Sequence, residues 1–413
     1  MAEPYKPLFN RTYLKIIVWV VAIVIVLLQW REHQRRDALI PSTWKSGATD
    51  VVSLTQKNSD SDVWILTYSP GALAETHSGT AAVARDTLEA RLAQGAHRYF
   101  LDKEIDFSTQ LTQENLKLIV QLPADDEHRK AARDGLKALI TPSPDDSQHA
   151  REAQTRLLAE AHLFAGQPDK LVRQAALMAL FPDHPMSQPL TGTRQGLAQL
   201  TTDEVQDYLA STVGKAPSRL LLLSNQDSDD QQQESHLLLK ALPQTPATPA
   251  QIPPLPTPGE ALHLKRPQLN QQAALAVALP EDDPEKNMAL RLWLTQSAQQ
   301  QGFNATPWYD SEAAVLLVFW QGSLEQTPPD WSSWLSTPMS QNNLDDIQSE
   351  LNKAHRALDD EPFTRARWLD LMLDRNLPAD SLKRWRDAPP LKLTDINQSL
   401  RSLNRIGQAT LHP

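Results

Sequence analysis

The groups in this chain that could carry acid–base or metal chemistry are 11 histidines and 50 carboxylates; there is no cysteine. Without thiols the chain forms no disulfide, no thiolate metal site and no thiol nucleophile. Two histidines four residues apart on one helix, with a glutamate beside them, would bind zinc and polarise a water molecule. Neither His-x-x-Glu-His nor His-Glu-x-x-His occurs. Glu75 and His77 stand close together in a stretch that reads as polar loop surface, and His97, His128, His149 and His162 are scattered among polar helix and loop contexts. The 13 glycines form no Gly-x-Ser-x-Gly elbow and no phosphate-binding loop. Spacing alone therefore supplies no catalytic constellation. The stretch that matters most carries no obvious chemistry: residues 78–92 read SGTAAVARDTLEARL, an alanine-rich helix with Arg85 and Asp86 on it.

The elements around that helix follow from periodicity. Residues 62–68 (DVWILTY) are apolar on both faces, as an interior strand requires, and Ser69-Pro70-Gly71 ends them. Leu116, Leu118, Val120 and Leu122 alternate with Lys117, Ile119 and Gln121, the period of a strand. Helices are expected over about 128–140, 148–164 and 169–180. Thr201 with Glu204 three residues on makes a capping box, opening a helix to about 213 before a buried strand at 219–223. Seven prolines fall within residues 243–258, a density that leaves only an extended, semi-rigid linker. A strand at 272–279, a helix from Pro284 to about 301, a strand at 313–320 and helices at 344–358 and 362–373 then repeat the earlier order. The expected fold class is α+β, with helices covering a largely antiparallel sheet in each of two tandem related domains.

Length and charge set further bounds. A chain of 413 residues exceeds one compact domain. The formal charge of −10 is uneven: the first 45 residues hold seven Lys/Arg against three acids, leaving 33 bases against 47 acids in the rest. An acidic body excludes general nucleic-acid binding, which needs a cationic face to displace counterions. Residues 13–30 (YLKIIVWVVAIVIVLLQW) are interrupted only by Lys15 and Gln29. At ~1.5 Å per residue they span roughly 27 Å, enough for the hydrocarbon core of a membrane. No small-x-small cleavage site follows, so a transmembrane helix is expected rather than a removed signal peptide. Basic residues flank both ends, so charge does not set the orientation.

Residues 181–224, FPDHPMSQPLTGTRQGLAQLTTDEVQDYLASTVGKAPSRLLLLS, carry a resemblance. They resemble the M16 (insulinase, pitrilysin and mitochondrial processing peptidase) family, in which a Phe-Pro-x-His-Pro turn leads to Gly-Thr, a helix opening with Leu-Thr and an acidic pair, and a closing strand. Pro182, His184, Pro185, Gly192, Leu200, Thr201 and Leu220 fall into that frame. Leu92, Gly95 and Tyr99 resemble the stretch after the family's zinc helix, where a glycine precedes a strand, and Gln271 or Gln272 resembles the start of its second domain. The resemblance covers about residues 50–400.

What the resemblance implies is an address for the zinc motif, and its loss. Aligning the family glycine with Gly79 puts the first histidine at Ala82, the glutamate at Arg85 and the second histidine at Asp86. The third ligand, a glutamate on a later helix, falls at Glu160. Ala82 has no donor atom, and Arg85 is a cation where a general base is needed. No catalytic residue, metal or cofactor is expected. The implied organisation is a short tail (1–12), a transmembrane helix (13–30), a juxtamembrane linker (31–49), a first M16-like domain with a degenerate zinc site (50–242), a proline-rich linker (243–260) and a second M16-like domain (261–413). By resemblance the chain is a catalytically inactive pseudopeptidase. It would be anchored in an inner membrane with its body in the periplasm and paired as a heterodimer with an active M16 zinc peptidase around a peptide substrate. The alternative is a stand-alone peptide- or protein-binding scaffold. A third reading is an enzyme using a rearranged site at Asp86, Glu160 and a neighbouring histidine.

Overall fold

A computed structural model describes residues 21, 39–57, 59–248, 253–267, 270–280, 283–307 and 315–412. Apart from Val21, the apolar stretch 13–30 lies outside them; among the described residues no helix is long and apolar enough to cross a membrane.

The first half opens with strands β1 (Ser42–Ser46), β2 (Thr49–Thr55) and β3 (Ser61–Tyr68), followed by helix α1 (Thr80–Arg91). A π-helical turn (Leu92–Ala96) and helix α2 (His97–Phe100) continue the chain to β4 (Asp106–Leu111) and β5 (Leu116–Pro123). Gly95 thus sits inside a helical turn, and the next strand starts only at Asp106, later than the resemblance implied. Helices α3 (Asp126–Ile140), α4 (Asp146–Ala165), α5 (Pro168–Leu180), α6 (Arg194–Gln199) and α7 (Thr202–Ser211) lead to β6 (Arg219–Ser224) and α8 (Ser228–Lys240). The second half comprises β7 (Leu262–Lys265), β8 (Gln271–Ala278), α9 (Pro284–Gln300), β9 (Asn304–Pro307) and β10 (Val315–Gly322). Helices α10 (Trp331–Leu335), α11 (Gln341–Asp360), α12 (Pro362–Asp374), α13 (Ser381–Arg386) and α14 (Leu393–Arg401) precede the closing strand β11 (Ile406–His412).

Two sheets result, ordered β1-β2-β6-β3-β5-β4 and β7-β11-β8-β10-β9. Their topologies repeat. β2 lies parallel to β6 as β7 lies parallel to β11, and the other pairings are antiparallel. α4 and α11 have 20 residues each; α5 and α12 have 13 each and both start on a proline, which suits a first turn whose N–H groups have no helical acceptor.

One face of each sheet is covered by its own helices: α1, α3 and α4 on the first, α9, α11 and α14 on the second. The opposite faces are exchanged. α5 of the first half packs through Ala175, Ala176 and Leu180 on Ala274, Ala276 and Ala409 of the second sheet. α12 of the second half packs through Ala366, Leu369 and Met372 on Val63, Ile65 and Leu221 of the first. The small side chains let α5 approach closely: a Cβ on Gly407 in β11 would meet Ala176 O at 2.2 Å.

The α12 seam also carries charge. Lys117 of β5, expected only as the alternate position of a strand, is 1% exposed. It donates to Asp370 at 2.7 Å and to Asp374, while Arg219 of β6 donates to Asp370 at 2.8 Å and to Asp374. Lys117, Thr67 and Arg219 are register partners across three neighbouring strands, which puts both cations on the face that α12 covers. Burial opposes the charge of Asp370, but Lys117 and Arg219 outweigh it and hold its carboxyl below the ordinary range.

Candidate functional site

The candidate site is the start of α1 and the face it turns to α4. The chain enters α1 through Gly79, whose φ of +108° is the left-handed region that glycine tolerates. The approach there is backbone to backbone. A Cβ on Gly79 would stand 2.6 Å from the Leu197 side chain, and one on Gly192 would stand 2.5 Å from the Gly79 Cα. Ser78 Oγ accepts from Thr193 N at 3.1 Å. The Gly-Thr turn of the 181–224 stretch therefore clasps the entry to α1, a physical reason for the two segments to occur together.

Other residues of that stretch are equally structural. His184 is buried; its Nδ1 accepts from Met186 N at 3.1 Å, so Nε2 carries the proton and donates to Pro253 O at 3.2 Å. The capping box of Thr201 and Glu204 forms, and Glu204 also meets His77 Nδ1 at 2.9 Å.

Glu75, read from sequence as polar surface, is half-buried instead. Its two carboxylate oxygens accept from Gly79 N and Ala81 N, each at 2.9 Å, capping the amides at the start of α1 that have no helical acceptor. Loss of solvent outweighs those bonds and pushes its carboxyl up to about 7. His149, placed among polar contexts by sequence, is 3% exposed on α4.

The four positions expected for the zinc motif fall as follows. Ala82 is fully buried in the core beneath α1. Asp86, one turn on, is nearly buried, and both of its oxygens are taken by arginines. Arg85 donates to Oδ1 through Nε at 2.9 Å and Nη2 at 2.7 Å; Arg156 of α4 donates to Oδ2. Arg156 also donates to Glu160 at 2.9 Å, one turn along α4. Partial burial opposes the charge of Arg156, but Asp86 and Glu160 outweigh it and raise its pKa. The structure thus brings Asp86 and Glu160 to one place and joins them through a guanidinium. Arg156 escaped sequence reasoning; only its position four residues before Glu160 marked it.

No family model matches the sequence, and no curated protein does. Solved structures do match. A peptidase M16 inactive domain from Pseudomonas fluorescens superposes with a TM-score of 0.76 at 16% identity, over 90% of this chain and 98% of that one. The fold is M16-like. The M16-like likeness extends to a chain of complex III from Candida albicans (TM-score 0.66, 15% identity, 91% of this chain and 96% of that one). It extends also to the periplasmic protease PqqL from Escherichia coli (TM-score 0.67, 12% identity), where 91% of this chain covers 46% of that one.

An M16-like fold raises the question of zinc, and the donor set answers it. A catalytic zinc site needs about three nitrogen or oxygen ligands and an open position. At the positions expected for the motif, Ala82 has no donor atom, Arg85 is a cation, and the carboxylates of Asp86 and Glu160 already neutralise guanidinium groups. These residues do not fit zinc. Among the described residues no group of three or more His, Asp or Glu side chains could hold a metal ion.

Proposed function

We propose that this chain is a catalytically inactive M16-like pseudopeptidase, anchored through residues 13–30 in an inner membrane with its body in the periplasm. In that role it is the non-catalytic subunit that shapes the chamber of an active M16 zinc peptidase. The observation that carries this reading is the arginine pair on Asp86. Where the M16-like frame would place a dication, Arg85 and Arg156 supply positive charge that is part of the chain and offers no open coordination position. Two likenesses support the partnering. One neighbour is a chain within complex III, a multi-subunit assembly, and PqqL is a protease about twice the span of this chain.

The test is affinity capture of the full chain from its native membranes after mild detergent extraction, followed by mass spectrometry and metal analysis. The expected result is co-purification of a peptidase that retains His-x-x-Glu-His and zinc, with peptide hydrolysis confined to the complex. Stoichiometric zinc and hydrolysis in the isolated full chain would overturn the inactive reading. Recovery of the chain with no M16 peptidase would overturn the partner.

A further inference from the structure

The apolar stretch 13–30 ends at Trp30, nine positions before Leu39, where the folded body begins. Residues 13–30 are read above as a transmembrane helix, and the present inference rests on that reading. Nine residues, even fully extended, reach at most roughly 30 Å. Leu39 is therefore tethered within that distance of the bilayer, and the edge of the body that carries it is brought close to lipid.

The packing of α12 shows which elements share that edge. Leu39 is fully buried in the core that α12 and α13 close over the first sheet, together with Leu382 and Trp385 of α13. Arg367 and Trp368 stand on opposite flanks of the Ala366–Leu369 ridge that meets the sheet, given roughly 100° of turn per residue. Arg367 donates to Gln110 on β4, one edge of the sheet. Trp368 packs on Trp385 with ring centroids 4.6 Å apart. α13 thus lies on the flank away from β4, toward β1 and β2, and it is into β1 that Leu39 leads.

The charge of this edge runs against that of the body. After residue 45 the chain holds 33 bases against 47 acids, yet residues 380–392 (DSLKRWRDAPPLK) hold Lys383, Arg384, Arg386 and Lys392 against Asp380 and Asp387. Ser381, Leu382 and Trp385 are buried against the body, which leaves the cations on the outer side of α13. Lys383 pairs with Asp387 at 2.8 Å and Arg384 with Asp380 at 2.9 Å. Such partly exposed pairs are worth little and yield to a competing phosphate. Lys392 is exposed and, among the described residues, has no ion pair. Ile40, directly after Leu39, is a large apolar side chain left 51% exposed. Cations beside an exposed apolar side chain suit the headgroup region of a membrane.

We infer that the α13 edge of the body rests on an anionic phospholipid surface, with Lys383, Arg384 and Lys392 on the lipid phosphates and Ile40 at the headgroup boundary. Forked guanidinium donors and ammonium groups both bond phosphate oxygens. The contact fixes the body edge-on, with β1 toward the bilayer and β4 away from it.

The experiment uses the full chain in lipid nanodiscs. Because the chain has no cysteine, Ala388→Cys after α13 and, in a second variant, Ser108→Cys on β4 each take one donor fluorophore. Energy transfer to acceptors on the lipid headgroups reads their height above the bilayer. In nanodiscs containing phosphatidylglycerol, transfer from position 388 should be at least about twice that from position 108, given the pull of an anionic surface on each cation. It should fall in nanodiscs of phosphatidylcholine alone, and fall again when about 1 M salt shortens the screening length to about 3 Å. Lys383→Gln/Arg384→Gln/Lys392→Gln should remove the difference between the two positions with an unchanged thermal melt. Equal transfer from both positions, equal transfer in the two lipids, or transfer that survives the triple variant would overturn the inference while leaving the anchor intact. A chain that does not enter nanodiscs would overturn the anchor and this inference with it.

Discussion

Arg156 on α4 donates a hydrogen bond to Asp86 on α1, across the helix pair that carries the positions expected for a zinc motif. A guanidinium is a permanent cation at any physiological pH, so this contact neutralises the carboxylate throughout that range. Asp86 is nearly buried while Arg156 is half-exposed, so the contact matters most to the carboxylate.

Removing Arg156 alone leaves Asp86 paired with Arg85. Arg156→Ala is therefore expected to lower stability by only about 1 kcal/mol. The double variant Arg85→Ala/Arg156→Ala leaves a buried carboxylate unpaired and is expected to lose about 3 kcal/mol or more. Urea unfolding of both variants measures this; a double variant no worse than the single would mean that Asp86 does not depend on these cations.

The pH dependence has a defined sign. Glu75 beside α1 and Glu285 in the first turn of α9 are both pushed up to about 7, chiefly by burial. Their folded values lie above the ordinary one, so the folded state holds these protons more tightly than the unfolded chain. The associated stability is full below about 4.5 and is lost as pH rises through about 7. Glu75→Gln should flatten part of the fall in unfolding free energy between pH 5 and pH 8, by on the order of 3 kcal/mol at most. Glu285→Gln should flatten another part. Unfolding curves at the two pH values decide it, and unchanged differences in both variants would show that neither group titrates there.

The charged seam under α12 makes a third prediction. Lys117→Met leaves Asp370 and Asp374 sharing Arg219 alone and is expected to cost about 3–5 kcal/mol. Adding Asp374→Leu restores a one-to-one pair between Arg219 and Asp370, and should recover more than half of the loss. If the double variant is less stable than Lys117→Met, the charges are not balanced as the contacts indicate.

Gly79→Ala would force a side chain into the left-handed backbone and against Leu197, with an expected loss of at least about 2 kcal/mol. Gly95→Ala is the control: a Cβ there meets nothing within 4 Å, and replacing a helical glycine should gain about 0.5–1 kcal/mol. Thermal melts of the two variants should move in opposite directions.

Much of this architecture was legible in the sequence for local reasons. The strands β3, β5 and β6 announce themselves by apolar pattern, and the Thr201 capping box by two residue types at fixed spacing. The helix α1 itself was legible from its alanine-rich run, and Gly192 and Thr193, which clasp its entry, belong to the same stretch as His184. Three things were not legible. The polar helix α8 (SDDQQQESHLLLK) shows little apolar period, although Gln231, Glu234 and Ser235 are buried in it. Lys117 has the type of a solvated residue, and only partners some 250 positions away make its burial tolerable. Glu75 and His77 looked like loop surface because their partners, the amides of α1 and Glu204, are set by the fold and not by spacing.

The crossed helices also bear on how this chain could be cut. Periodicity says that α5 and α12 each have a face to bury, but not against which sheet. Because α5 lies on the second sheet and α12 on the first, a nick in the proline-rich stretch between the halves would not release two separate particles. Each fragment would hold a layer that the other needs, so the pieces should stay together and, expressed separately, should fold only in each other's presence, as complementing fragments do.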